Sequence, residues 1–543
     1  MKKHISLIAA LLLPLGIAAQ NINPEVQVTN EYETRINDAE KQGPSMTVPD
    51  SMLRFDYHFD YSVFESPYKG AYEFSPYAVN LTPAAGGYDG RKLYLRAGAG
   101  WTLRPELDLV WSALDRKRAA VNVFAKGEGY YGNFLKVADY TFEADRNVMS
   151  GGYDFRTVAG VDTRFNVGKS VLRAEVAYDG IFLDHYSRRY GIAHAPYASV
   201  RIGRDNARGF SYSVGAQYRY VNDRFEGWGP IEDHDVKVDA SVSPYIGEGT
   251  RGAMDLKFAY NGYFLGVEAR PHLFLSVGPW DFDAGLRAGW STDDFCYVAG
   301  SGAYPYGNSF TISPDVKITV HLIDNHLDIY AGAVGGNDML SYWDYRTLTH
   351  SYVFTLADPR PVWEIADCFG GVRGFTGFGL RGDLKAGYRF IDNAPLWTVS
   401  AAGTETVTYN YLEIFHADLD LGWKNDRVDV EGAFHYNWLP AGVLDGVFSP
   451  AEIRANLSAS YNWMKRIYAG ISGDMSTKRV AVIGETTAEL PLYVNLGVWA
   501  EYKFNNRFGV WLKGSNLLNH EIRLSPVLCP FGPSVTAGIS LSL

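Results

Sequence analysis

Leu492-Tyr493-Val494-Asn495-Leu496-Gly497-Val498-Trp499-Ala500-Glu501-Tyr502-Lys503-Phe504 is the stretch whose reading decides the fold. Leu492, Val494, Leu496, Val498, Ala500, Tyr502 and Phe504 fall on one side of a period of two, and Tyr493, Asn495, Gly497, Trp499, Glu501 and Lys503 on the other. Successive side chains point to opposite faces only along an extended strand, so this spacing predicts β structure with one apolar and one polar face. The alternation recurs at 93–103, where Leu93, Leu95, Ala97, Ala99, Trp101 and Leu103 oppose Tyr94, Arg96, Gly98, Gly100 and Thr102. It recurs again at 236–242, 316–322, 384–390, 415–423 and 453–462. Helical periodicity is not sustained anywhere, so the chain reads as all-β.

Composition narrows the class. The 543 residues include 56 Gly, 37 Tyr, 29 Phe and 13 Trp, and the 47% hydrophobic content excludes a disordered chain. No apolar run after the N-terminus reaches the length of ~18 residues that a membrane helix needs. The balance of 50 Lys+Arg against 61 Asp+Glu, net −11, argues against nucleic acid as a partner. Three Cys cannot build a disulfide scaffold or a paired CxxC zinc site. Lys2-Lys3, the apolar Ile5–Leu15 and the small residues Gly16-Ile17-Ala18-Ala19 predict a secretory signal peptide over 1–19.

The strands run to about 9–13 residues, against a globular mode of ~5–6 and the ~9–11 that a tilted strand needs to cross a bilayer. Short turns are predicted at Arg104-Pro105, Gly168-Lys169, Arg204-Asp205-Asn206, Gly278-Pro279, Asp324-Asn325, Asn425-Asp426, Met464-Lys465 and Asn505-Asn506, with two more near 246–251 and 381–383. Longer Tyr/Gly/Asp-rich stretches lie between them at 181–193, 291–308, 337–370, 440–449 and 514–533. Export, long strands and turns that alternate short and long predict a transmembrane antiparallel β-barrel of roughly 18–22 strands in a bacterial outer membrane. Apolar faces then meet lipid. Trp101, Trp111, Trp280, Trp290, Trp423, Trp438 and Trp463 at strand ends are expected in interfacial girdles.

The polar faces nominate residues lining a wet lumen: Arg96, Arg173, Glu175, Lys237, Asp239, Arg287, Lys317, Arg389, His416, Asp418, His435, Arg454, Glu501 and Lys503. Their mixed signs suggest cross-strand pairing. His416 and His435, near Asp418, Asp420, Asp429 and Glu431, read either as an ion-contacting patch or as a salt-linked wall. Tyr342, Trp343, Tyr345 and Trp363 in the 337–370 stretch read either as sugar-stacking rings or as ordinary packing. Cys296 and Cys368 are expected in external loops, where they could form a disulfide, leaving Cys529 unpaired. No HExxH, GxSxG, P-loop, dinucleotide or EF-hand pattern occurs, so no catalytic, cofactor or metal residues are nominated and no enzyme is expected.

The C-terminus carries a resemblance. Phe508-Gly509-Val510-Trp511-Leu512-Lys513-Gly514-Ser515 runs into Asn516-Leu517-Leu518-Asn519, and a last strand, Ser534 to Leu543, follows a loop. This looks like the end of a TonB-dependent receptor barrel, with Asn516, Leu517 and Asn519 matching the family's Asn-Leu-x-Asn element, although such barrels usually close on an aromatic residue rather than Leu543. Glu31-Tyr32-Glu33, Asn37-Asp38-Ala39 and Thr47-Val48-Pro49-Asp50 resemble the N-terminal part of plugless, receptor-like barrels of Bacteroidetes. Val26-Gln27-Val28-Thr29 is similar to the short box that pairs with the energy-coupling protein. The resemblance implies solute transport or receptor function across the outer membrane or, alternatively, a structural or accessory role in an outer-membrane complex. Residues 20–70 hold too few apolar side chains for a plug-sized core, so a poorly ordered periplasmic extension is expected there, contacting a periplasmic or surface protein, with the barrel over 71–543. A wide barrel without a plug needs some other closure: inward-folded loops, the extension, or a partner.

Overall fold

The computed structural model describes residues 92–137, 144–185, 188–206, 209–225, 229–292, 309–350, 352, 358–399, 405–439, 451–483, 486–523, 529–530 and 532–543. The signal peptide, the 20–70 extension and residues 71–91 lie outside the described residues. The first described strand is β1 (Leu93–Trp101), followed by β2 (Glu106–Arg116), β3 (Ala119–Val137), β4 (Ala144–Val167), β5 (Ser170–His185), β6 (Arg188–Arg204), β7 (Ser211–Phe225) and β8 (Ile231–Ser243). The short β9 (Tyr245–Gly247) continues β8 along β10 (Thr250–Tyr260). Then come β11 (Leu265–Val277), β12 (Trp280–Ser291), β13 (Ser309–Ile323) and β14 (Leu327–Asp338). A short helix, α1 (Tyr342–Leu348), precedes β15 (Val362–Phe375), β16 (Leu380–Val399), β17 (Glu405–Lys424), β18 (Val428–Trp438), β19 (Ile453–Trp463) and β20 (Ile467–Ser476). A separate hairpin, β21 (Arg479–Ile483) and β22 (Thr486–Leu490), interrupts the series before β23 (Tyr493–Lys503), β24 (Phe508–Ser515) and β25 (Ser534–Ser542).

Every strand of the large sheet pairs antiparallel with its sequence neighbours, and β25 pairs with β1. With β9 counted as part of β8, the ring has 22 strands and no free edge. The seam runs in regular register from Tyr94↔Ser542 through Ala97↔Ile539 to Trp101↔Val535. Leu543 completes it, its N–H donating to the Leu93 carbonyl at 2.8 Å while its own carbonyl accepts from the Leu93 N–H at 2.8 Å.

Burial is inverted relative to a water-soluble sheet. Val176 is 64% exposed, Leu457 52% and Ile539 40%, whereas Asp179, Asp315, Asp367 and His416 are buried and ion-paired on the opposite face. Trp111, Trp280, Trp423 and Trp463 ring one end of the apolar belt, and Trp101, Trp290 and Trp438 the other. Trp280 and Trp290 open and nearly close β12, ten residues apart. At ~3.4 Å per residue and a tilt of about 40°, that spacing spans roughly 25 Å, the height of a barrel's lipid-facing band.

The connections at the end that holds Leu93 and Leu543 are all short, and every long connection is at the other end, together with short ones such as 102–105 and 261–264. Two expected turns are corrected. Arg104-Pro105 joins β1 to β2 at the long-loop end, and Lys117-Arg118 supplies the missing short turn between β2 and β3. Residues 381–383 lie within β16; the turn is at 376–379, where Gly379 adopts φ +90°. The 181–193 stretch is mostly strand, not loop, and so is the 362–370 part of 337–370. Cys368 is likewise in a strand, β15, exposed on the outer face and without a disulfide among the described residues, while Cys296 lies outside them.

Candidate functional site: a loop folded into the lumen

Between β14 and β15, residues 339–350 and 352 turn inward. Ser341 opens α1 with a reciprocal cap: its N–H donates to Asp344 Oδ2 at 2.8 Å, and its hydroxyl oxygen accepts from the Asp344 N–H at 3.4 Å. Ser-x-x-Asp is thus the local signal for a helix start in a segment too short to show periodicity. Seven helical residues cannot persist alone, so side-chain anchors must hold them.

Those anchors reach both walls. Trp343 Nε1 donates to Asp179 of β5 at 3.1 Å, and Arg156 of β4 grips the same carboxylate through two bonds at 3.1 and 2.8 Å. The Tyr342 hydroxyl donates to Asp223 of β7 at 2.8 Å, and Arg346 Nε donates to the same oxygen at 2.7 Å, in an ion pair whose side chains are both 0% exposed. Lys237 of β8 meets Asp344 at 2.6 Å, and His350 meets Asp154 of β4 at 2.5 Å. On the other wall the Thr349 hydroxyl donates to Glu405 of β17 at 2.5 Å, and Tyr352 bridges the same residue's backbone. Tyr345 and Tyr352 pack edge-on against Trp397 of β16, and the Tyr409 hydroxyl of β17 donates to Tyr345 at 3.2 Å. With β9 folded into the place of β8, β5 is fifth and β17 sixteenth in a ring of 22, half a turn apart. One loop therefore crosses the lumen from wall to wall.

Its centre is dry. Tyr342, Trp343, Tyr345 and Tyr352 join Ile181, Ala193, Ala195, Val221, Trp397 and Val407 in one buried cluster. This corrects the sugar-stacking reading for Tyr342, Trp343 and Tyr345, whose faces are covered; Trp363 instead donates to Ser313 at 2.9 Å from within β15. Burial pushes the Tyr342 and Tyr352 hydroxyls well above their ordinary range. Burial alone would also raise Asp344, but the Lys237 ammonium, the Ser341 N–H and the Arg219 guanidinium together outweigh it and hold the carboxyl below the usual carboxylate range.

The nominated polar-face residues mostly meet partners on neighbouring strands. Arg96 lies 4.5 Å over the Trp511 ring, Lys317 5.0 Å over Tyr330 and Lys503 4.4 Å over Tyr468. Glu175 accepts from Tyr197 at 2.6 Å, Glu501 accepts from Ser540 at 2.7 Å, and Asp239 pairs with Arg201 at 2.8 Å. Arg287 pairs with Asp315 at 3.3 Å, and Arg389 reaches Asp367 at 3.4 Å. His416 bridges Asp367 at 2.8 Å and Asp418 at 3.0 Å, and His435 reaches Asp418 at 2.8 Å, so this patch is salt-linked. Arg454 stands in register with His435. Only Lys237 belongs directly to the loop's anchorage.

Asn516 and Asn519 have φ of 50° and 51°. The Asn516 side chain accepts from the His520 N–H at 3.0 Å and donates to the carbonyls of His520 and Gly532 at 2.9 and 3.3 Å, and the Leu517 N–H donates to Leu496 at 3.0 Å. The element thus pins the root of the last loop. Among the described residues one grouping has metal-ligand geometry: His272, Asp283 and Asp315 place ligand atoms within 4.8 Å of one another. Arg270 already contacts all of Asp255, Asp283 and Asp315 there, so the carboxylates are neutralised from within the protein.

No family model matches this chain, and no curated protein does. Solved structures do match. The copper transporter OprC aligns with a TM-score of 0.58 at 11% identity, over 84% of this chain and 80% of that one. The apoprotein form of the FrpB iron transporter from Neisseria meningitidis (F5-1 variant) gives 0.62 at 11%, over 84% and 81%. The siderophore receptor PirA from Acinetobacter baumannii gives 0.61 at 9%, over 83% and 80%. At these identities the likeness establishes the architecture: a 22-strand transmembrane barrel of the outer-membrane type, with lipid against its belt.

Proposed function

We propose that this protein serves solute transport or receptor function across the outer membrane as a receptor-like barrel without a plug domain, and that loop 339–361 takes over the plug's closing role. The observation that carries the reading is the wall-to-wall path of that loop, from Asp179 and Asp223 to Glu405 and Trp397. Solved neighbours named as copper, iron and siderophore transporters or receptors support the transport class, and the 31–50 words support the plugless, Bacteroidetes-like type. In this reading residues 1–19 direct export, 20–70 form a periplasmic extension that recruits a partner protein, and the charged inner faces border water. The protein performs no catalysis.

A second reading, an accessory subunit of an envelope complex, is favoured by the burial of the Arg346–Asp223 pair, which suits a permanently shut barrel. Planar-bilayer recordings separate the two. Transport through a displaceable loop predicts little conductance from the intact barrel and large, stable conductance once residues 341–349 are replaced by a short Gly/Ser link. Large conductance from the intact protein would remove the closing role. A silent loop variant that co-purifies with a protein bound to residues 20–70 would favour the subunit reading.

A further inference from the structure

We propose that Arg164, Arg173 and Arg201 form an anion-binding site inside the short-turn mouth of the barrel, for a phosphate-bearing or similarly charged oxyanion solute. The three sit on adjacent strands β4, β5 and β6 and are direct register partners, Arg164↔Arg173 and Arg173↔Arg201. Facing positions of antiparallel strands hold their Cβ atoms about 5 Å apart, and like charges there repel. The neighbouring row, Phe165–Leu172–Ile202–Val214, is on the outer face, so the arginine row is on the inner one.

The row departs from its surroundings. Other cations on this face are engaged, Arg270 by three aspartates, Arg389 by Glu364 and Asp367 and Lys513 by Glu106, while Arg96, Lys317 and Lys503 lie over aromatic rings. Arg201 has Asp239 at 2.8 Å, reached across Gly215, whose absent Cβ leaves that path clear. Arg164 and Arg173 are exposed and, among the described residues, have neither ion pair nor hydrogen bond. Glu175, two residues beyond Arg173, is engaged by the Tyr197 hydroxyl at 2.6 Å. Two unneutralised guanidinium forks set side by side, with a third beside them, match the bidentate geometry of phosphate or carboxylate oxygens. On β5, Arg173 lies between the short turn at 168–169 and Asp179, so the row is on the short-turn side of the contact that Trp343 makes.

The test is equilibrium binding of inorganic pyrophosphate to the full chain in non-ionic detergent at low salt, and it is independent of whether the barrel transports anything. Saturable binding that weakens with added salt is expected. Arg164→Gln with Arg173→Gln should weaken it by about tenfold or more, as expected for loss of two charge-assisted contacts, while barrel stability stays unchanged or rises as the repulsion is relieved. Arg427→Gln, on the far side of the same mouth, removes one charge without touching the row and should leave the affinity as it was. Absence of saturable binding, or an equal loss in Arg427→Gln, would overturn the site. Competition by dihexanoyl-phosphatidylglycerol as strong as by unlabelled pyrophosphate would place a lipid headgroup there and overturn the solute assignment.

Discussion

Arg346 and Asp223 are both fully buried, yet they meet inside a membrane barrel rather than in a solvated loop. Two charges removed from water gain little net stability from each other, but removing one strands its partner at a cost of about 3–5 kcal/mol. Arg346→Ala is therefore expected to lower the loop's unfolding stability by that order, and Arg346→Met with Asp223→Leu to restore most of it; denaturant titrations of the three proteins in detergent check both. Asp344 adds a pH dependence. Its folded-state pKa is held below the ordinary value of about 4, so the loop's anchorage is complete above that pH and lessens as pH falls through the lower folded value. Tryptophan emission followed from neutral pH downward should be flat to about pH 4 and then change, and Asp344→Asn should abolish that step. At the seam, Gly98 and Gly538 face each other beneath the Trp511 ring, and a Cβ at either would overlap it. The alternation places Gly98 on the polar face, but only the strand pairing shows why neither glycine carries a side chain.

The last strand makes the clearest case for inside against outside. Ile539 is 40% exposed on the outer face, between Ala97 and Val510, and Ser540 donates inward to Glu501 at 2.7 Å. Arginine at 539 must lodge near mid-membrane at a cost of about 2–4 kcal/mol, whereas arginine at 540 meets a carboxylate and water. Folding titrations into vesicles should show Ile539→Arg impaired and Ser540→Arg far milder; equal tolerance would contradict the inversion. Strands and most turns were legible because period two and Gly, Asn and Asp turn chemistry are local. Arg104-Pro105 reads as a short turn yet belongs to the long-loop end, because a tight connection looks the same at either end of a barrel and only the count of strands on both sides assigns it. Helix α1 left only its Ser341-x-x-Asp344 cap, since it is held by distant strands rather than by its own sequence.

At the scale of the whole molecule, closure turns a list of amphipathic strands into a compartment. Replacing 341–349 should open a conductance while leaving the heat-modifiable migration of a folded barrel on gels unchanged, because the ring's hydrogen bonds do not pass through the loop; loss of that migration would show the loop to be part of the barrel's own stability. Alternation, strand length and turn spacing determined that this chain is a membrane barrel of about this size, since each depends on neighbours within a few residues and on the thickness of the bilayer. Only the tertiary structure decided which residues meet across the lumen, from Trp343 on Asp179 to Thr349 on Glu405, and which arginines stand abreast at its mouth. Those relations depend on register and ring position, which join residues as far as 164 positions apart and leave no mark in the local sequence.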